Sequence, residues 1–544
     1  MTVWERISSR LGALPAWRVT WGLVLVFSVW VVLDVFVFKL SGGLAQSSFD
    51  AMVRARVVVA APDPRVVVID IDEASLARMG QEFGRWPWPR DTLATVLNHV
   101  EKQQPAAVVW DVLFADADRL SPGGDAAFNE AVKHSPHSHF SVVRLPAAND
   151  ATSQITQTSL PGLWLTKTPS TATVALIPPA LAAVANGRLG FNNGHVDADG
   201  VLRRYRYVER LGDGSAIQSI AMSVQNTINN VANSPYLISA TGLFSNNNVL
   251  VSWRSGPNAY PHLSFADVFA QAEGGQTQVA VPSFTGKVVV IGSTAPSLHD
   301  IHPTPLSPTQ AGVDTLATVI DNALNRRHIA ELPHSLQAAL AVAMCIGLAL
   351  WVQFKSAASL APALWALPAA LMGISYLSLN GWPWFVDLHL SAGLALMFLA
   401  TLRFWSALRR SYWCTPPEGS TTAVAFWPMV RNGPWLDADL DRLIDALERH
   451  APGCRVLVCD AHVVWPATLR WPELSRFAAV FGPEAEVRAA QLPLESTLRR
   501  LDTLAGEPVV LSGQPDRTTL ADCAWRAWAT MRTTDLTPAE RTIT

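Results

Sequence analysis

Three aspartates stand where apolar runs end. Val66 to Ile71 reads VVVIDI, with Asp70 and Asp72 two residues apart at its close, and Ala106 to Phe114 reads AAVVWDVLF, with Asp111 after the apolar part. Ligands of open α/β sheets bind beyond the carboxyl ends of the strands, near a switch in strand order. Spacing by two puts Asp70 and Asp72 on one side of a strand, where Asp111 of a neighbouring strand could join them. A third run, VVVIG, is followed by Ser293 and Thr294, so two hydroxyls reach the same edge. One reading is a polar-ligand or cation site walled by Trp86, Trp88 and Arg90 of RWPWPR. The other is structural: the aspartates cap helices and tie down loops, while the Trp-Pro pairs fix a turn. The structural reading is favoured. No nucleophile with a neighbouring base is recognisable, so no catalytic residue is assigned, and no metal or cofactor is expected. On this reading Asp70→Asn and Asp111→Asn should each destabilise the domain by about 1–3 kcal/mol through lost buried hydrogen bonds.

Two further patterns invite metal chemistry. His134, His137 and His139 form H-x2-H-x-H, which could hold zinc or copper, but they sit at a helix-to-strand junction and read as a solvated loop. Asp197 to Gly200, DADG, opens like a calcium loop yet lacks the closing glutamate, so it reads as a hairpin turn.

The elements that must carry these residues divide at the membrane. The 544 residues are 49% apolar and only 16% charged, and mean hydropathy is positive; that balance suggests membrane segments. A net charge of -3 gives no reason to expect nucleic acid as a partner. Residues 19–38 form an apolar run of about the length a spanning helix needs, and runs over 335–353, 357–379 and 385–404 follow late in the chain. Arg6, Arg10 and Arg18 precede the first run, and Arg409 and Arg410 follow the last. The positive-inside rule then places both termini, residues 1–18 and 420–544, in the cytoplasm, and residues 44–330 outside the membrane. All five cysteines lie at or after Cys345, which fits an oxidising compartment for the preceding region. Asp34, near the outer end of the first run, is expected to turn out to the membrane interface.

Between the first and second runs, strands and helices alternate. VVVIDI and VVVIG have the unbroken apolar character of strands buried on both faces. Leu93, Val96, Leu97 and Val100 keep helical spacing, with Asp91 as the expected N-cap. The alternation predicts a doubly wound, mixed sheet. The blocks PDPRVVVIDIDEASL, RWPWPRDTLATVLNHVEKQQPAAVVWDVLF, GFNNGHVDADGVLRR and GKVVVIGSTAPSLHDIHPTPLSPTQAGVDTLATVIDNAL, in that order, resemble the CHASE domain of the second type, a cyclase- and histidine-kinase-associated sensory extracellular domain. That resemblance implies one span before the domain and three after it. It also implies a sensory role in bacterial signalling, usually ahead of a cyclase, kinase or diguanylate cyclase, and it supplies neither a defined ligand nor a catalytic set.

Residues 420–544 read as a small cytoplasmic α/β domain. They carry no Gly-rich phosphate loop, no kinase motif and no GGDEF-like block. VLVCDAH, ending at His462, resembles a receiver strand with Asp460 in the phospho-acceptor place, but the acidic pair and lysine of a receiver are not evident. The tryptophans Trp427, Trp435, Trp465, Trp471, Trp525 and Trp528 suit a protein-binding face or a small core. The whole is therefore expected to be an inner-membrane sensor with an unknown external stimulus. Its cytoplasmic or membrane protein partner would bind the small domain, and it would work as a homodimer in the lipid bilayer. A divergent phospho-acceptor or nucleotide-binding output is the enzymatic alternative, and an accessory subunit of an envelope complex the structural one.

Overall fold

The computed structural model describes residues 7, 10–118, 121–166, 168–229, 248–254, 256, 259–354, 360–381, 384–414, 422–428, 435–459, 477–501, 504 and 508–512. The chain divides into one unit of residues 40–336 with 373–387, and a second of 1–39, 337–372 and 388–544. The second unit contains helix α1 (Ala16–Leu33), continued by a π-helical turn over Asp34–Phe38.

In the first unit the β-branched runs become the centre of a seven-stranded sheet. Its strands are β1 (Val66–Asp70), β2 (Ala107–Trp110), β3 (Ser138–Arg144), β4 (Leu176–Ile177), β5 (Arg188–Phe191), β6 (His262–Ser264) and β7 (Val288–Gly292). The order is β6-β1-β7-β2-β3, with β4 and β5 both paired to β3. Only β4 runs antiparallel, so the sheet is mixed. The longer helices are α2 (Gly42–Arg54), α3 (Glu73–Phe83), α4 (Arg90–Glu101), α5 (Pro122–Lys133), α6 (Ile220–Ile228), α7 (Phe265–Ala272) and α8 (Gly312–Leu324).

Side-chain alternation assigns the faces. Val67, Ile69, Val108, Trp110, Val289 and Ile291 enter one core with residues of α3, α4, α5 and α7. The alternate positions turn to the other face, where α8 packs against α6, β1 and β7. Both faces are covered, which is why VVVID and VVVIG carry no polar residue before their ends. Helix α4 starts one residue earlier than its expected cap: Pro89 precedes it, and Asp91 lies inside the first turn, accepting the Thr92 N–H at 2.9 Å. The loops after β1 and β2 lead to α3 and α5 on one face, and the loop after β7 leads to α8 on the other. The chain thus leaves β1 and β2 toward one face and β7 toward the other, the kind of divergence beyond which open α/β sheets place ligands.

In the second unit α1 is joined by most of α9 (His334–Phe354), the first half of α10 (Ala363–Gly381) and α11 (His389–Trp413). Among the described residues, four helices, Ala16–Phe38, His334–Gln353, Ala363–Asn380 and His389–Trp413, are long and apolar enough to cross a membrane. Val24, Phe27 and Val31 of α1 share a core with Cys345 of α9 and Phe398 of α11. Asp34 corrects its expectation: it is 1% exposed, packed inside instead of turned outward.

After α11 come β8 (Ala423–Pro428), α12 (Asp437–His450), β9 (Arg455–Cys459), β10 (Phe477–Gly482), α13 (Glu484–Leu501) and β11 (Val509–Ser512). The order β9-β10-β8-β11, with every neighbour antiparallel, is the split βαβ arrangement. A receiver has a parallel sheet, so this pairing does not carry the receiver-like reading of β9. Asp460 itself lies outside the described residues, as do Trp465, Trp471, Trp525 and Trp528. Trp427 and Trp435 are buried in the core of this region and leave no aromatic face at those positions. Burial also pushes the Cys454 thiol up to about 12, as befits a packed small hydrophobe.

Candidate functional site

Asp70 is the last residue of β1 and points to the α8 face of the sheet. Its carboxylate is fully engaged. The Thr294 backbone N–H donates to Oδ1 at 2.9 Å and the Thr294 hydroxyl to Oδ2 at 2.6 Å. His262, at the start of β6, places Nδ1 at 3.0 Å from Asp70 Oδ2 and Nε2 at 2.9 Å from Asp314 Oδ1 of α8. Burial alone would lower the proton affinity of this imidazole, but the hydrogen bonds to Asp314 and Asp70 outweigh it and push its pKa up to about 9. At neutral pH both ring nitrogens therefore donate, and His262 clamps the strand end to the first turn of α8. With both nitrogens taken by carboxylates, it has none left to accept a proton from a nucleophile.

Asp111 follows β2 and faces the same side, but its surroundings differ. Asn192, just after β5, donates to Oδ1 at 2.7 Å. Burial first, and then the charge of Asp300, push the Asp111 carboxyl up to about 7, against the pull of Asn192 and His302. Asp300 and His302 belong to the arm that runs from β7 to α8, where the Gly312 N–H donates to the Asp300 carbonyl at 2.9 Å. Between the two aspartates the backbone passes at close quarters. A Cβ on Gly292 would lie 2.8 Å from Val313 Cγ2 and 3.0 Å from Asp111 Cβ.

The other expected residues serve the fold. Asp72 lies past the end of β1 as the N-cap of α3, accepting the Ser75 N–H at 2.6 Å, and a second bond of 3.2 Å comes from the Ser264 hydroxyl. Ser293 donates to the Ile71 carbonyl at 2.8 Å. Trp88 is 2% exposed and packs in the core on the opposite face, against Phe265 and Trp86. Arg90 pairs with Asp125 and donates to the Asp116 carbonyl, joining the starts of α4 and α5. The edge thus gathers Asp70 and Thr294 into one network and sets Asp111 in another. Asp72 and Ser293 brace adjoining loops, while Trp86, Trp88 and Arg90 stand apart from both networks.

The family model of the CHASE2 domain matches residues 23–352. The chain belongs to the CHASE2 family. CHASE2 is an extracellular sensory domain of signalling proteins. No curated protein and no solved structure matches the chain.

Within this CHASE2 domain, sequence reasoning missed His262, Asp314 and Asp300. Strand β6 has three residues, too few to register as a period, and α7 begins at once behind it. The available signal was Ser264 ahead of FADVFAQA, a cap before a helix, which would have exposed the strand it terminates. The three histidines do not form a solvated loop. His134 is exposed, His137 is bonded to Glu101 at 2.8 Å, and His139 lies wholly buried within β3, 2.9 Å from the Ser223 hydroxyl. Burial, with Arg188 and His137 nearby, depresses His139 to about 3 and keeps it neutral. In DADG, Gly200 has φ +80°, as a turn needs, and Asp197 and Asp199 pair with Arg203 at 2.9 and 2.7 Å. Among the described residues no group of His, Cys, Asp or Glu is placed to hold a metal ion.

A second site of interest lies in the other unit. Helix α11 runs without a break from its apolar stretch into the small β-sheet region, whose core includes Trp413. Arg409, 4% exposed, pairs with Asp445 at 2.8 Å and with Glu448, both on α12. Arg410 pairs with Asp437 at 3.0 Å and Asp441 at 3.3 Å on the same helix. From β9, Arg455 lays its guanidinium 4.2 Å from the Tyr412 ring and 5.0 Å from that of Trp413.

Proposed function

We propose that the chain is a sensor of the bacterial inner membrane, with its CHASE2 domain outside and both termini in the cytoplasm. The small βαββαβ region binds a cytoplasmic or membrane protein instead of catalysing a reaction. One observation carries the output half of this reading. The last apolar helix enters the core of the small region and is fixed there by Arg409, Arg410, Tyr412 and Trp413, so movement of that helix must move the region with it. Signalling on this view is a shift between two packings of the spans in a homodimer.

A mild-detergent pull-down of the whole chain, compared with a version ending after Cys414, tests the output. A specific partner lost with the tail is expected, and its absence would overturn the adaptor role. Crosslinks between α9 and α11 that ignore every change of growth condition would count against the shift in packing.

A further inference from the structure

We propose that a cleft between the start of α10, the second half of α11 and the start of α12 binds the headgroup of an anionic phospholipid. The cleft has a volume of about 320 Å³ and is two-sided in character. Leu360 and Leu364 line it beside α10, and Leu399 and Leu402 line it from α11. Beyond these leucines come Arg403 and Arg410, which also line it. Seven residues is close to two helical turns, so both arginines fall on one face of α11.

The two guanidiniums are not equivalent. Arg410 is held by Asp437 and Asp441. Asp437, the acidic residue among the described lining, is thereby already paired. Arg403 is exposed, and among the described residues its guanidinium has no ion pair or hydrogen bond. The first turn of α12 adds the positive end of a 14-residue helix dipole. An unpaired cation at the rim of a leucine wall matches a molecule with a phosphate at one end and hydrocarbon at the other. Free phosphate would have no use for the leucines. The placement rests on the reading of α11 as a span with its C-terminal end in the cytoplasm, where an anionic leaflet surface faces it.

Native mass spectrometry of the full chain in detergent, with added phosphatidylglycerol or phosphatidylcholine, tests the assignment. Wild type and Arg403→Lys should retain one phosphatidylglycerol about fivefold more than phosphatidylcholine, the scale of one arginine at a membrane surface. Arg403→Gln should fall to the phosphatidylcholine level. Equal retention of the two lipids, unchanged retention in Arg403→Gln, or loss of the lipid to excess inorganic phosphate alone would each overturn it. A carbonate wash of membranes separates the two readings. Release of the chain removes the membrane reading and this inference with it, whereas a retained chain without lipid preference removes this inference only.

Discussion

The carboxyl ends of β1 and β2 present the same residue type to the same face of one sheet, yet their charges are settled differently. At β1, two carboxylates share an imidazolium, and Asp70 also receives both the N–H and the hydroxyl of Thr294. At β2, Asp111 receives one amide donor and faces the carboxylate of Asp300. A buried charge with a full set of partners holds structure, and one short of partners takes up a proton instead. The contrast separates a fastening from a group whose charge is open to change near neutral pH.

The largest effect should come from breaking the fastening. Asp70→Asn removes one counter-charge from His262 and one acceptor from Thr294. A cost of about 3–5 kcal/mol is expected, the range for breaking a buried ion pair. Thermal unfolding of the solubilised chain, followed by tryptophan fluorescence, measures it. A loss no greater than that of a surface substitution would remove the contrast.

The next effect is a pH dependence with a definite sign. His262 binds its proton more tightly folded, with a pKa of about 9 against the usual 6.5. Its contribution is therefore complete below pH 6.5 and is lost as pH rises through about 9. At about 1.4 kcal/mol per tenfold change in affinity, the loss is on the order of 3 kcal/mol. His262→Gln should be flat across that window where wild type declines. A parallel decline in both would place the titrating group elsewhere.

How far the sequence anticipated this arrangement depends on the range of the forces involved. The unbroken apolar runs revealed β1 and β7, because burial on both faces leaves a local trace. Asp70, Asp72, Asp111, Ser293 and Thr294 were visible because they interrupt or follow those runs. Their partners were not. His262 comes from a strand 192 residues from Asp70, and Asp300 from an arm with two-residue strands. Trp88 was read with the edge because it is close in sequence, but the fold carries it to the opposite face. The joint of α11 was half legible. Arg409 and Arg410 were read as charges marking the cytoplasmic side, and their partners on α12 depend on tertiary packing that no local pattern reports.

The smallest effect is the most discriminating, because its sign reverses. From the sequence, Asp111→Asn was expected to destabilise as Asp70→Asn does. With the Asp111 carboxyl at about 7 against 3.8 in the unfolded chain, the folded domain holds a proton between those limits that the unfolded chain has lost. Stability from this group therefore falls as pH rises from about 4 to 7 and is level above. The asparagine keeps an oxygen for the Asn192 amide and carries no charge toward Asp300. Asp111→Asn should thus be close to neutral at pH 4 and more stable than wild type at pH 8. The gain should be about 1–2 kcal/mol, below the full linkage value because Asp111 is only partly buried. Unfolding of the two proteins at both pH values decides it. A destabilisation that does not change with pH would make Asp111 a second fastening, and the two strand ends alike.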